Sequence, residues 1–162
     1  LWIICDGIAG LDRAIVDPCV TILGSDVPQH SDYGAWARNT GIAAGQNEWI
    51  AYIDDDDVWL PNHLSVICTL RAERPHTTMI RTAGQSFSMR SKSPRSKDKV
   101  RKLGAINNTD ILTVGMAHTR ELFNKTKGWQ PCDKHDKILW NEMLEVDGSP
   151  LVGNVVTFQF AR

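Results

Sequence analysis

The chain has 162 residues, 42% of them apolar, which is enough for one domain with a buried core and too little for two comfortable ones. Its 18 basic and 19 acidic residues leave a formal net charge of −1, so no bulk field recruits nucleic acid or an anionic membrane surface, and partners must be read from local sites. No apolar run approaches the ~20 residues that span a bilayer, and Leu1–Cys5 is too short and lacks the basic lead of a signal core; a cytoplasmic protein without a membrane span is expected.

Residues 1–5 read as a buried strand ending at Asp6-Gly7, and 19–23 as a second strand ending at Gly24-Ser25. Leu11 to Val16 fits a short helix stopped before Pro18. Ser31 or Asp32 caps a helix running through Tyr33, Trp36, Ala37, Ile42 and Ala43, closed by Gly45-Gln46-Asn47. A strand over 49–53, an acidic run and a helix over about 62–73 follow, so strand and helix alternate as in an α/β fold with a mixed, mainly parallel sheet flanked by helices.

In the second half, Thr77 to Arg81 and Gln85 to Met89 read as two strands of a hairpin around Ala83-Gly84. Residues 90–102 carry seven basic residues, one acid and almost nothing apolar, so they bury no face and are expected to form a mobile basic loop, either solvated or approaching a diphosphate as a flap. A strand lies within Ile106 to Met116, Thr119 caps a short helix to Lys127 that Gly128 ends, a helix runs from Asp133 or Lys134 to about Val146, and Val152 to Phe160 closes as a strand. Cys5, Cys19, Cys68 and Cys132 show no CxxC pair or zinc-ligand spacing, and are expected to be free, buried thiols in a reducing compartment.

The chemistry concentrates at Asp54-Asp55-Asp56-Asp57, between the apolar Trp49–Ile53 and Val58-Trp59-Leu60-Pro61. Adjacent carboxylates repel unless a cation or a donor-rich partner sits among them, and hard oxygen donors at the end of a strand suit Mg²⁺ or Mn²⁺ carrying phosphate. Asp6, also at a strand end, is placed to accept hydrogen bonds from a ribose or base, although Asp-Gly is equally a turn pair. Arg38 and Asn39, on the helix before the acidic strand, reach phosphate or ribose, or else Arg38 neutralises the aspartates. Asp136 opens a helix whose Ile138, Leu139 and Trp140 supply a buried side; the position favours an acid through the helix dipole, and it also offers a base across the cleft from a metal-bound leaving group. His118 and His135 are weaker candidates for ligand or base, because a lone histidine is more often surface or satisfied core.

Ala37-Arg38-Asn39-Thr40-Gly41, the helix end at Gly45–Glu48, the apolar strand, the acidic run and Trp59-Leu60-Pro61 together resemble the family 2 inverting glycosyltransferases of the GT-A fold, without a break from Ala37 to Pro61. Trp2–Gly7 is similar to that family's apolar strand ending in a nucleoside-contacting Asp, and Gly115–Phe123 through Gly128-Trp129 to the segment before its Glu-Asp motif, where this chain has His135-Asp136. The resemblance implies a metal-dependent transfer of a sugar from a UDP-, GDP- or dTDP-sugar to a hydroxyl of a glycan or other acceptor. It assigns Asp136 as catalytic base. It puts Mn²⁺ or Mg²⁺ on Asp56 and Asp54 with Asp57 as the neighbouring candidate, and the nucleotide sugar on Asp6, Arg38, Asn39, Asp54 and Asp55. The family's opening strand is expected before Leu1, so the chain reads as truncated at its front, leaving a sheet edge for a partner or second copy to cover. Two other readings stay open: a catalytically incomplete nucleotide-sugar or metal-binding module, and a Mg²⁺-dependent nucleotidyltransferase, for which no Gly-rich, Lys-containing phosphate loop is present.

Overall fold

A computed structural model describes residues 1–7, 18–25, 32–87 and 111–161. In chain order the elements are β1 (Trp2–Asp6), β2 (Thr21–Ser25), α1 (Ala35–Ala44), β3 (Trp49–Ala51), β4 (Asp57–Trp59), α2 (His63–Glu73), β5 (Met79–Phe87), a 3-10 turn at Thr113–Gly115, β6 (Met116–Thr119), α3 (Arg120–Phe123), α4 (His135–Val146) and β7 (Leu151–Ala161). β1 and β2 form a parallel pair, and the other strands form a five-stranded sheet in the order β3-β6-β5-β7-β4.

Alternation along the central strands sorts the side chains into two layers. Met79 and Met116 belong to a cluster with Ala35 and Ile42 of α1, Leu122 and Phe123 of α3, and Leu139, Trp140 and Met143 of α4. Their neighbours Ile80 and Ala117 pack instead with Ile67 of α2, and Leu70 lies against that second cluster. Helices therefore cover both faces, and fully buried side chains such as Met79, Ile80, Leu139 and Met143 each contribute about 1.5–3 kcal/mol by leaving water. No helix among the described residues is long and apolar enough to cross a membrane.

The mixed α/β architecture is the one expected. β1–β2 and β5–β7 are parallel and are the longer ladders, over five and seven register positions, whereas β3–β6, β5–β6 and β4–β7 are antiparallel over three positions each. Two local features account for the antiparallel pairs. The chain turns at the aspartates and returns as β4 at the far edge, and the short β6 inserts between β3 and β5 against the direction of both. The hairpin expected around Ala83-Gly84 is instead one continuous strand, β5, with register irregularities between Arg81 and Gly84. Gly84 serves close approach there, because a Cβ on it would lie 2.0 Å from Cε2 of Phe158. All four cysteines are free, as expected, but only Cys5 is buried; Cys19 and Cys68 are exposed because they fall on a turn and on the outer side of α2. The proposed helix over Leu11–Val16, the Ser31 cap and the basic segment 90–102 lie outside the described residues.

Candidate active site

The four aspartates do not form a single cluster. The Asp57 amide donates to the Asp54 carbonyl at 3.1 Å, closing a turn that leaves Asp55 and Asp56 exposed at its corner, while Asp54 is half-buried and Asp57 enters β4 opposite Phe160. This geometry relieves part of the mutual repulsion. Arg38 relieves more: its Nη2 donates to Asp54 Oδ1 at 2.7 Å, with the two side chains 14% and 32% exposed.

Arg38 is held at this depth by its own helix. It sits three residues after buried Ala35 and four before buried Ile42, so one face of α1 carries all three inward. Asp32 starts that helix by accepting from the amides of Gly34 and Trp36, and Gly34 at φ +74° leaves room for the guanidinium, since a Cβ there would lie 2.9 Å from Arg38 Nη1. Nη1 donates to the Tyr33 carbonyl at 2.7 Å and lies 3.5 Å from Nε2 of His135, and the guanidinium carbon stands 4.8 Å over the Trp129 ring. Tyr33 itself has φ +55°, an unusual backbone for an aromatic residue, and its ring is 54% exposed beside that of His135.

Asn39 uses both ends of its amide on one peptide segment. Nδ2 donates to the Trp129 carbonyl at 3.0 Å and Oδ1 accepts from the Trp129 amide at 3.1 Å. Gly128, at φ +72°, makes this approach feasible, because a Cβ on it would lie 3.1 Å from Asn39 Oδ1. Asn39 thus ties α1 to the segment leading into α4, which brings the start of α4 to Arg38. Trp129, Gly34 and Gly128 were not legible as site residues; Gly128-Trp129 after a capped helix is the one sequence signal that points to them.

Of the expected site residues, the structure joins Arg38 directly to Asp54, and through His135 to the first turn of α4 that contains Asp136. Asp136 is half-buried, and its Oδ1 accepts from the Lys137 amide at 2.7 Å. It lies three and four residues before buried Leu139 and Trp140, on the inward side of α4. Asp6 ends β1 in register with Ser25, in the separate parallel pair. No group of three or more His, Cys, Asp or Glu side chains among the described residues is arranged to hold a metal. The donor set nonetheless fits Mg²⁺ or Mn²⁺, which bind through one or two carboxylates and complete their shell with water and phosphate oxygens; exposed Asp55 and Asp56 offer oxygen donors at the turn.

His118 belongs to the core. Its Nδ1 lies 3.0 Å from the Thr119 carbonyl, which only accepts, so Nδ1 carries the hydrogen and Nε2 accepts from the Tyr52 hydroxyl at 2.6 Å. Burial lowers its pKa from 6.5 to about 4 and raises that of Tyr52. Burial likewise lowers His63 to about 4, where the ring stacks on Trp59 and Nδ1 meets the Thr157 hydroxyl. Both folded values lie below the unfolded one, so the unfolded chain binds more protons between them. The stability is fully present above about pH 6.5 and falls as pH drops toward 4. Urea unfolding at pH 7 and pH 5 should show a loss of roughly 2 kcal/mol per histidine, and a pH-independent midpoint over that range would contradict the assignment.

The family description "Glycosyl transferase family 2" matches residues 27–128, a span that contains Arg38, Asn39 and all four aspartates but neither Asp6 nor Asp136. Over 54 residues the chain is 46% identical to WcaA of Escherichia coli (strain K12), whose name assigns it to glycosyl transfer in colanic acid biosynthesis; the match covers 33% of this chain and 18% of that protein. The fold is similar to the crystal structure of S. aureus TarS 1–349, with a TM-score of 0.66 and 9% identity over 88% of this chain and 43% of that one. It is also similar to TarS 1–349 in complex with UDP-GlcNAc, at a TM-score of 0.63, 10% identity and coverage of 88% and 42%. The chain thus spans less than half the length of each of these relatives. With most of its length inside the matched family and its α/β architecture shared with GT-A structures, this chain belongs to glycosyl transferase family 2.

Proposed function

We propose that this chain supplies the donor site and the catalytic base of an inverting glycosyltransferase that moves a sugar from a nucleotide diphosphate to an acceptor hydroxyl. The observation that carries this reading is the Arg38–Asp54 ion pair, because it joins the acidic turn to α1 while His135, on the other side of the same guanidinium, brings up the start of α4. Exposed carboxylates beside a half-buried, fixed cation make a place where a diphosphate meets charges of both signs. The UDP-GlcNAc complex of a protein with this fold makes a UDP-sugar the first donor to test.

In this mechanism Asp56, with Asp54 and Asp57 adjacent, would hold Mn²⁺ or Mg²⁺. When bound, the ion stabilises negative charge on the departing diphosphate as a Lewis acid. Arg38 holds the Asp54 carboxylate in place, Asp55 and Asp6 take the nucleotide side, and Asn39 acts by holding Trp129 under the guanidinium. Asp136 takes the proton from the acceptor hydroxyl as it attacks the anomeric carbon from the face opposite the leaving group, inverting it. Calorimetric titration of UDP-GlcNAc with Mn²⁺ tests the donor half. Asp56→Ala is expected to weaken Mn²⁺-dependent binding by more than tenfold, and equal affinity in the variant would remove Asp56 from the metal site.

A further inference from the structure

The proposed reaction leaves His135 without a part, yet its ring is held on several sides. Nδ1 lies 2.8 Å from the Cys132 carbonyl, which only accepts, so Nδ1 carries the hydrogen and Nε2 is the nitrogen left to accept from a guanidinium, which only donates. Trp129 meets the ring edge-on at a centroid distance of 5.3 Å and Tyr33 lies on another side at 6.2 Å, which fixes the plane of the imidazole. Nε2 then faces Nη1 of Arg38 at 3.5 Å, while Nη1 also donates to Tyr33 and Nη2 to Asp54. A guanidinium is a rigid planar fork, so fixing one amino nitrogen sets the direction of the other.

We propose that His135 is a positioning residue for the donor site: as an acceptor anchored on the Cys132 carbonyl, it fixes the rotation of the Arg38 guanidinium and so aims Nη2 at Asp54, coupling the first turn of α4 to the acidic turn. The role in donor binding rests on the glycosyl-transfer reading above; the coupling between α4 and the turn does not. His135 and Asp54 share no direct bond, so any energetic link between them passes through Arg38.

A double-mutant cycle separates the two. His135→Phe keeps a ring against Trp129 and Tyr33 but removes the acceptor, and Asp54→Asn weakens the far end of the chain. In urea unfolding the two changes are expected to be non-additive by about threefold or more in the unfolding constant, within the range found for residues of one polar network. Should the Phe variant fail to fold, His135→Asn, which keeps a donor for Cys132 but falls short of Arg38, takes its place in the cycle. With the active protein, His135→Phe is expected to raise the donor KM about fivefold or more with a smaller change in kcat, and His135→Gln, whose amide oxygen extends toward the Nε2 position, to restore KM to within about twofold. Additivity in the cycle, or an unchanged donor KM in His135→Phe, overturns the proposal. A protein that transfers no sugar refutes the glycosyl-transfer reading instead, and the cycle alone then decides the role of His135.

Discussion

Asp136→Asn is expected to lower kcat for sugar transfer by about 10²–10⁴-fold, the range that a positioned general base contributes, while donor affinity stays within about twofold. The substitution is nearly isosteric and removes the basic oxygen pair without disturbing the inward side of α4, where Leu139, Trp140 and Met143 are buried. The contact of Asp136 Oδ1 with the Lys137 amide can be kept by the Asn carbonyl oxygen. Loss of the negative charge from the first turn of α4 costs about 0.3–1 kcal/mol through the helix dipole, a small change beside the kinetic one. Stability and catalysis therefore respond on different scales, which lets the variant distinguish a base from an acid that only complements the helix dipole. A steady-state assay with UDP-GlcNAc and Mn²⁺ over a panel of acceptors, combined with calorimetric donor binding, reads both. A variant with normal turnover would leave Asp136 only its structural part at the helix start.

The parts of this site that were legible in the sequence are those set by local spacing. The helix through Tyr33, Trp36, Ala37, Ile42 and Ala43 is legible, although its buried residues are Ala35 and Ile42, and the acids after an apolar strand followed by Trp59-Leu60-Pro61 mark a turn into α2. Thr119 is recognisable as a cap because its hydroxyl serves an amide three residues on. What no periodicity shows is the partner across the fold. Arg38 meets His135 97 residues away, and Asn39 clamps Trp129 90 residues away. The even alternatives for Arg38, phosphate ligand or counter-ion for aspartate, were for the same reason undecidable from sequence, and the ion pair to Asp54 establishes the second without removing the first. His118 illustrates the opposite limit: its polar type signals function, and only the buried Tyr52 hydroxyl and the Thr119 carbonyl identify it as a satisfied core residue.

Gly84→Ala is expected to be the most damaging small substitution in the sheet. A glycine in an apolar stretch reads equally as a turn or as a place of close approach, and the residue that decides between them, Phe158 on β7, is remote in sequence. Phe158 is 2% exposed, and its ring lies over two glycines: a Cβ on Gly84 would come 2.0, 2.3 and 2.6 Å from three ring carbons, and one on Gly115 would come 2.7 Å from a fourth. Neither a rotamer change nor a few tenths of an ångström relieves such overlap, because Val114 packs on the same ring with Trp59 and Leu112 against them. Overpacking of a core commonly costs about 1–3 kcal/mol, and this site should reach the upper end or exceed it. β5 and β7 pair over seven register positions at the centre of the sheet, so the strain falls on the ladder that carries β4 and, with it, the end of the acidic turn. Phe158→Leu alone should destabilise by removing part of the buried ring, yet in combination with Gly84→Ala it should recover about 1 kcal/mol or more relative to the sum of the single changes. Urea midpoints for the two single variants and the double variant test this directly. If Gly84→Ala is neutral, or if the two changes simply add, the ring of Phe158 does not occupy the space that glycine leaves.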